Sequence, residues 1–174
     1  MSNWKEIKAI TMDVDGVLTD GSLLAFDNHE MVRVFNAKDS FGIRVALLKG
    51  FYIGVFTGGD TEGVRNRFTT CGVQAEDIHM GCRGKIHDFN EFCERHALKP
   101  SEVLFIGDDV PDLPVIKAAG IGAVPADASE DAQRAADYLC EEPGGKGCVR
   151  EVIENVLRAQ RKWYFEDDDY EKLF

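Results

Sequence analysis

Short apolar runs alternate with amphipathic segments along most of the chain. Residues 7–12, Tyr52–Phe56, Val103–Ile106, Ile121–Val124 and, more weakly, 138–140 are β-branched, aliphatic or aromatic runs bounded by Gly, Asp or Pro. Each predicts a buried strand. Between them lie helical patterns. Ser40 is a candidate cap for a helix carrying Ile43, Val45, Ala46 and Leu47 and stopping at Gly50. Thr61 opens a second, with Val64 and Phe68 on one face and Gly72 at its end. Residues 85–97 carry Ile86, Phe89, Phe92 and Cys93 before Pro100, and residues 112–119 form a short helix ending at Gly120. Residues 149–163 space Val149, Val152, Ile153, Val156 and Leu157 as one apolar stripe. Strands alternating with helices predict an α/β fold: a Rossmann-like parallel sheet with helices on both faces. Residues 22–35 break the rhythm. Leu24, Phe26, Met31, Val32, Val34 and Phe35 flank the turn signal Asp27-Asn28, which predicts a β-hairpin projecting from the sheet.

The 174 residues suffice for one well-cored domain, assigned to 1–163, followed by an acidic C-terminal tail at 164–174. Glu166, Asp167, Asp168, Asp169 and Glu171 read there as a solvated end. The net charge of −11 argues against a nucleic-acid partner. No apolar run reaches the ~20 residues of a membrane helix, and the first eight residues do not resemble a secretion signal. Five cysteines, Cys71, Cys82, Cys93, Cys140 and Cys148, form no CxxC pair. They predict neither a zinc site nor a disulfide framework, and they suit a reducing, cytoplasmic setting.

In an open parallel sheet, ligands bind beyond the carboxyl ends of the strands. The first predicted strand runs into Asp13-Val14-Asp15-Gly16-Val17, the second into Thr57-Gly58-Gly59, and the third into Gly107-Asp108-Asp109-Val110-Pro111-Asp112. At a period of two, Asp13 and Asp15 are expected to point the same way. Clustered carboxylates repel one another and call for a cation. Oxygen ligands without nearby nitrogens or thiolates favour Mg²⁺ over zinc. Thr57, the glycine amides beside it and Lys85 at a helix start supply donors for a phosphate.

That ordered set resembles the haloacid dehalogenase superfamily of phosphatases. Asp13-Val14-Asp15-Gly16-Val17-Leu18-Thr19 is similar to its first motif, Thr57 to its second, Lys85 to its third, and Gly107-Asp108-Asp109 with Asp112 to its fourth. Asp20-Gly21, the segment from Phe35 to Arg44, and Gly144-Gly145-Lys146-Gly147-Cys148-Val149-Arg150-Glu151 resemble, more narrowly, the 3-deoxy-D-manno-octulosonate 8-phosphate phosphatases, whose product enters lipopolysaccharide. That subfamily is similar to phosphatases of nine-carbon sialic-type sugar acids and to a non-catalytic oligomerisation domain of some sialate cytidylyltransferases. A phosphatase acting on a nucleotide or phosphoprotein is a further alternative.

The resemblance implies that Asp13 is the nucleophile and Asp15 the general acid and base, while Thr57 and Lys85 bind phosphoryl oxygens. It implies Mg²⁺ held by Asp13, the backbone carbonyl of Asp15 and Asp108, with Asp109 and Asp112 in support. Asn36, Ala37, Lys38, Asp39, Ser40, Arg44 and Arg67 resemble substrate-contacting positions, and Lys146 or Arg150 is expected to face the sugar carboxylate. In the octulosonate enzymes Arg often follows Thr-Gly, whereas this chain has Gly59.

Only 41 residues separate Asp15 from Thr57 and 27 separate Thr57 from Lys85, too few for an independent cap domain. A phosphoenzyme must nonetheless exclude stray water. The expectation is that a neighbouring subunit covers the site, with the apolar hairpin buried between subunits. The resemblance implies a homotetramer and a glycine-rich segment, here Gly144 to Gly147, that can reach an active site.

Overall fold

The computed structural model describes residues 3–173. Its centre is a six-stranded parallel sheet in which β1 (Ala9–Met12) lies between β4 (Tyr52–Phe56) and β6 (Val103–Ile106). Outside β4 is β5 (Ile78–His79), and beyond β6 come β7 (Ile121–Val124) and β8 (Tyr138–Leu139). The register sets Met12 beside both Val55 and Ile106. The three chain segments that follow these central strands therefore emerge side by side.

Alternation along the strands builds two cores. Ile10, Met12, Ile53, Val55, Leu104 and Ile106 face one side. They pack with α1 (Ala37–Leu48), α2 (Glu62–Thr70) and α6 (Cys148–Ala159). Ala9, Phe56, Val103 and Phe105 face the other side, toward α3 (Lys85–Arg95), α4 (Leu113–Ala118) and α5 (Glu130–Ala135). Both faces are covered, so the central strands are almost wholly apolar, and the buried hydroxyl among them, on Thr11, donates to Leu104 O at 2.9 Å. No described helix is long and apolar enough to cross a membrane.

The hairpin is present as a separate two-stranded antiparallel sheet, β2 (Leu24–Ala25) with β3 (Met31–Val32). Leu23, Leu24, Phe26, Met31, Val32 and Val34 are all exposed, Val34 by 77%.

The structure refines three of the sequence expectations. The first helix begins at Ala37 rather than after Ser40. Asn36 is its N-cap, with its side chain accepting the Lys38 N–H at 2.8 Å, so the capping residue lies one turn earlier than the Ser pattern suggested. The strand β5 and the helix α5 were not anticipated. In the acidic tail Glu166, Asp167, Asp168 and Glu171 are exposed as expected, while Asp169 is buried and the segment is docked. Residues Asp167–Lys172 form α7, the side chain of Leu173 is buried, and Lys49 of the loop after α1 pairs with Asp169 at 2.9 Å. Phe165 packs on Phe41, and Lys49 also sits over the Tyr164 ring. Apolar and polar contacts together tie this end of the chain to α1.

Candidate active site

The loop after β1 is shaped by its own hydrogen bonds. The N–H groups of Val17, Leu18 and Thr19 converge on the Val14 carbonyl, and Thr19 Oγ1 accepts from Gly16 and Gly21. Gly16 adopts φ +89°, and a Cβ there would fall 2.1 Å from Asp108 Oδ2. Only glycine allows the left-handed turn and the close approach of the Asp108 carboxylate together. Behind the loop sits the glycine-rich segment. Gly145 donates its N–H to Val17 O at 2.9 Å, Cys148 Sγ donates to the same oxygen at 3.2 Å, and a Cβ on Gly144 would lie 2.0 Å from Gly16 O. Residues 144–147 thus buttress the loop after β1 of their own chain.

Asp13 is buried at the end of β1, and its N–H donates to Ile106 O. The Lys85 ammonium, at the first position of α3, bonds Asp13 Oδ2 at 2.8 Å and Asp112 Oδ1 at 2.6 Å. Asp112 also accepts the Asp108 N–H at 2.9 Å through its other oxygen. Carboxylate oxygens of Asp13, Asp108 and Asp112 lie within 4.8 Å of one another. Burial is the main force lifting Asp13 to about 7, with Lys85 opposing and Asp112 adding to the rise. Burial, then Asp13 and Asp112, lift Asp108 to about 7. Burial alone would pull Lys85 down, but Asp13 and Asp112 outweigh it and its ammonium is held above the usual lysine value. One ammonium facing three crowded carboxylates leaves excess negative charge at a rim of hard oxygen ligands. That donor set suits a divalent cation such as Mg²⁺.

Thr57 completes the central group. It is buried at the end of β4, and its hydroxyl oxygen accepts the Gly59 N–H at 3.1 Å, which leaves the hydroxyl proton to donate. Asp15 pairs with Arg33 at 2.6 Å, a partner that no sequence pattern singled out. Asp109 is exposed on the rim, and its N–H, at 3.4 Å, points to Asp112 Oδ2.

The expected substrate-contacting residues divide into groups. Asn36 Nδ2 donates to Gly145 O at 3.3 Å, and together with Asp20, Phe35 and Lys146 it lines a cavity of about 220 Å³. Ala37 and Lys38 are exposed on the first turn of α1. Arg67 donates to Ser40 Oγ, and its buried Nε has no partner. Arg44 donates to Leu173 O at 3.0 Å and Thr70 O at 3.1 Å. Asp39 is buried in the seam between α1 and α6, where Oδ1 accepts the Arg150 N–H at 2.8 Å and Oδ2 has no partner. Burial lifts its carboxyl to about 6. Arg150 turns away from the rim, toward Glu154 and the Trp163 ring.

Known proteins are similar to this chain in sequence and fold. The profile of the haloacid dehalogenase-like hydrolases matches residues 77–152. The 3-deoxy-D-manno-octulosonate 8-phosphate phosphatase KdsC of Escherichia coli (strain K12) is 35% identical over 158 residues, which cover 91% of this chain and 83% of that protein. A crystal structure of the phosphatase of the same name from Moraxella catarrhalis, in complex with a magnesium ion, a phosphate ion and a KDO molecule, superposes with a TM-score of 0.88 at 29% identity, covering 97% of this chain and 93% of that one. The cobalt-bound deoxy-D-mannose-octulosonate 8-phosphate phosphatase of Haemophilus influenzae superposes with a TM-score of 0.89 at 30% identity, covering 95% and 96%. With identity of this order along nearly its whole length, the chain belongs to the 3-deoxy-D-manno-octulosonate 8-phosphate phosphatases of the haloacid dehalogenase-like hydrolases.

Proposed function

We propose that this protein hydrolyses 3-deoxy-D-manno-octulosonate 8-phosphate to the free sugar acid and phosphate, with Mg²⁺, through an aspartyl phosphate on Asp13. The observation that carries this reading is the juxtaposition of Asp13, Asp108 and Asp112 around the Lys85 ammonium at the carboxyl end of the sheet. Asp13, Asp108 and the backbone carbonyl of Asp15 would hold the metal, which supplies positive charge opposite the phosphoryl oxygens. Asp13 attacks phosphorus as the bond to the sugar oxygen breaks, and Asp15 gives that oxygen its proton. Asp15 then takes a proton from the water that attacks the aspartyl phosphate, releasing phosphate and restoring Asp13. Lys85 and Thr57 hold the phosphoryl oxygens, while Asp112 fixes Lys85 and the backbone of the 108–109 turn.

The exposed apolar hairpin supports an oligomer, read as a homotetramer in which a neighbouring subunit closes the site. The glycine-rich segment serves as an internal strut, so the cover is assigned to the neighbour's hairpin face. The free thiols and lack of an apolar spanning helix among the described residues accord with a cytoplasmic protein.

The test of substrate is kcat/KM on eight- and nine-carbon keto-acid phosphates, with Mg²⁺ and after its chelation. The expected result is preference for the eight-carbon ester and loss of turnover on chelation. Preference for a nine-carbon ester, or metal-independent turnover, contradicts the reading. Sedimentation of a fully active monomer contradicts the subunit cover.

A further inference from the structure

Arg33 leaves β3 at the inner edge of the hairpin and turns into the mouth of the site. Its guanidinium grips Asp15 with two prongs, Nε to Oδ1 at 2.6 Å and Nη2 to Oδ2 at 3.0 Å. Its remaining nitrogen donates to Met31 O at 3.0 Å and Thr61 Oγ1 at 3.3 Å. The side chain is only 4% exposed, although the hairpin around it is the most open apolar part of the molecule.

Position 59 explains how this cation fits. A Cβ on Gly59 would lie 2.7 Å from Arg33 Nη2 and 3.4 Å from Thr57 Oγ1. The guanidinium therefore fills the space that a side chain at 59 would need, beside the hydroxyl assigned to the phosphoryl group. The missing side chain and the inserted arginine are two halves of one arrangement.

The pairing also poses a geometric problem. Both oxygens of Asp15 are engaged by Arg33, yet the proposed chemistry needs one of them at the departing sugar oxygen. A planar fork that fits a carboxylate fits other oxyanions equally well. The proposed substrate brings two of them, a phosphoryl group and a carboxylate.

We propose that Arg33 is a substrate-binding residue whose guanidinium, paired with Asp15 in the free protein, passes to an oxyanion of the incoming substrate and so releases the Asp15 side chain. This rests on the sugar-acid phosphatase reading for its substrate, while the ion-pair exchange can be tested separately. The hairpin then delivers a cation to the site as well as closing it.

The experiment is equilibrium titration of the Mg²⁺-loaded D13N protein, with Arg33 intact and as R33A. The probes are inorganic phosphate and, separately, the unphosphorylated eight-carbon sugar acid. R33A is expected to weaken at least one of the two by about 10- to 100-fold, the scale of a lost charge-assisted pair. The weakened probe identifies the oxyanion. In the enzyme with Asp13 intact, KM should rise by a similar factor and R33K should recover part of it. G59R alone should impair binding by crowding Arg33, whereas R33A/G59R should bind better than R33A, because deleting the guanidinium opens the space at 59. A purely structural arginine would not be replaced by a cation from another loop. Unchanged affinity for both probes in R33A and R33K overturns the proposal, as does failure of G59R to improve R33A. If the wild-type protein fails to hydrolyse any sugar-acid phosphate, the substrate reading falls, and the phosphate titration still decides the role of Arg33.

Discussion

The two sides of the active-site mouth are built in opposite ways. At the sheet end, Asp13, Asp112 and Lys85 are buried, the two carboxylates both bonded to the lysine, and backed by the 144–147 segment packed against the loop after β1. Across the mouth, Arg33 and Asp15 sit beneath a two-stranded hairpin whose apolar side chains face outward. The first side holds charges at fixed separations before any substrate arrives, which is how an electrostatic site avoids reorganisation during the reaction. The second side is held by few contacts within its own chain and is suited to motion or to burial against a neighbour. The nucleophile proposed here, Asp13, lies on the rigid side, and the proposed acid and base, Asp15, lies with Arg33 on the other.

The largest expected effect is on the rigid side. D13N should lower kcat by about 10⁴-fold or more while leaving the far-ultraviolet spectrum and thermal transition near wild type. Retained turnover would place the nucleophile elsewhere. Next comes G144A, whose methyl group would meet the backbone oxygen of Gly16 at 2.0 Å. Overpacking against backbone should cost about 2–4 kcal/mol in urea unfolding and should lower kcat, because the displaced loop carries Asp13 and Asp15. Full stability and activity would show that the strut is dispensable.

A pH effect follows from Asp39, which joins the first turns of α1 and α6 behind the mouth. Burial, opposed by the Arg150 N–H and charge and reinforced by Glu142, lifts its carboxyl from 3.8 to about 6. Between those values the folded protein holds the proton more tightly than the unfolded chain. The group's stabilising contribution is therefore complete below about 4 and is lost as pH rises through about 6, by up to roughly 3 kcal/mol. D39N should flatten the fall of stability across pH 4–6 relative to wild type, and an unchanged slope would contradict the assignment. The smallest effect on the protomer is expected from the hairpin. The L24S/V34S double variant removes two exposed apolar side chains and should change protomer stability by less than about 1 kcal/mol. Light scattering should nonetheless show a smaller assembly, and an unaltered mass would leave the hairpin without its proposed role.

How much of this was legible in the sequence follows from the same contrast. The positions on the rigid side were legible, because Asp13 and Thr57 directly follow apolar strands, Asp108 comes two residues after another, and Lys85 opens a patterned helix. The hairpin was legible from its alternation. Its arginine was not, because the Arg33–Asp15 pair joins residues that only the fold brings together. Asp39 and Arg44 lay in a segment matched by resemblance, but burial in the α1–α6 seam and capture by the Leu173 carbonyl depend on packing. The helix α7 reads Asp-Asp-Asp-Tyr-Glu-Lys and has no apolar stripe. What docks this segment is largely the Lys49–Asp169 pair, 120 residues apart in sequence, together with Leu173. The strand β5 is two residues long and α5 six, both below the length at which periodicity is informative.

The most direct test of the central claim is rapid quenching of the Mg²⁺-loaded enzyme with ³²P-labelled sugar-acid phosphate, followed by peptide mapping. The account predicts transient, base-labile label on the peptide containing Asp13, absent in D13N. Turnover without labelled protein, or label on a peptide lacking Asp13, would contradict it.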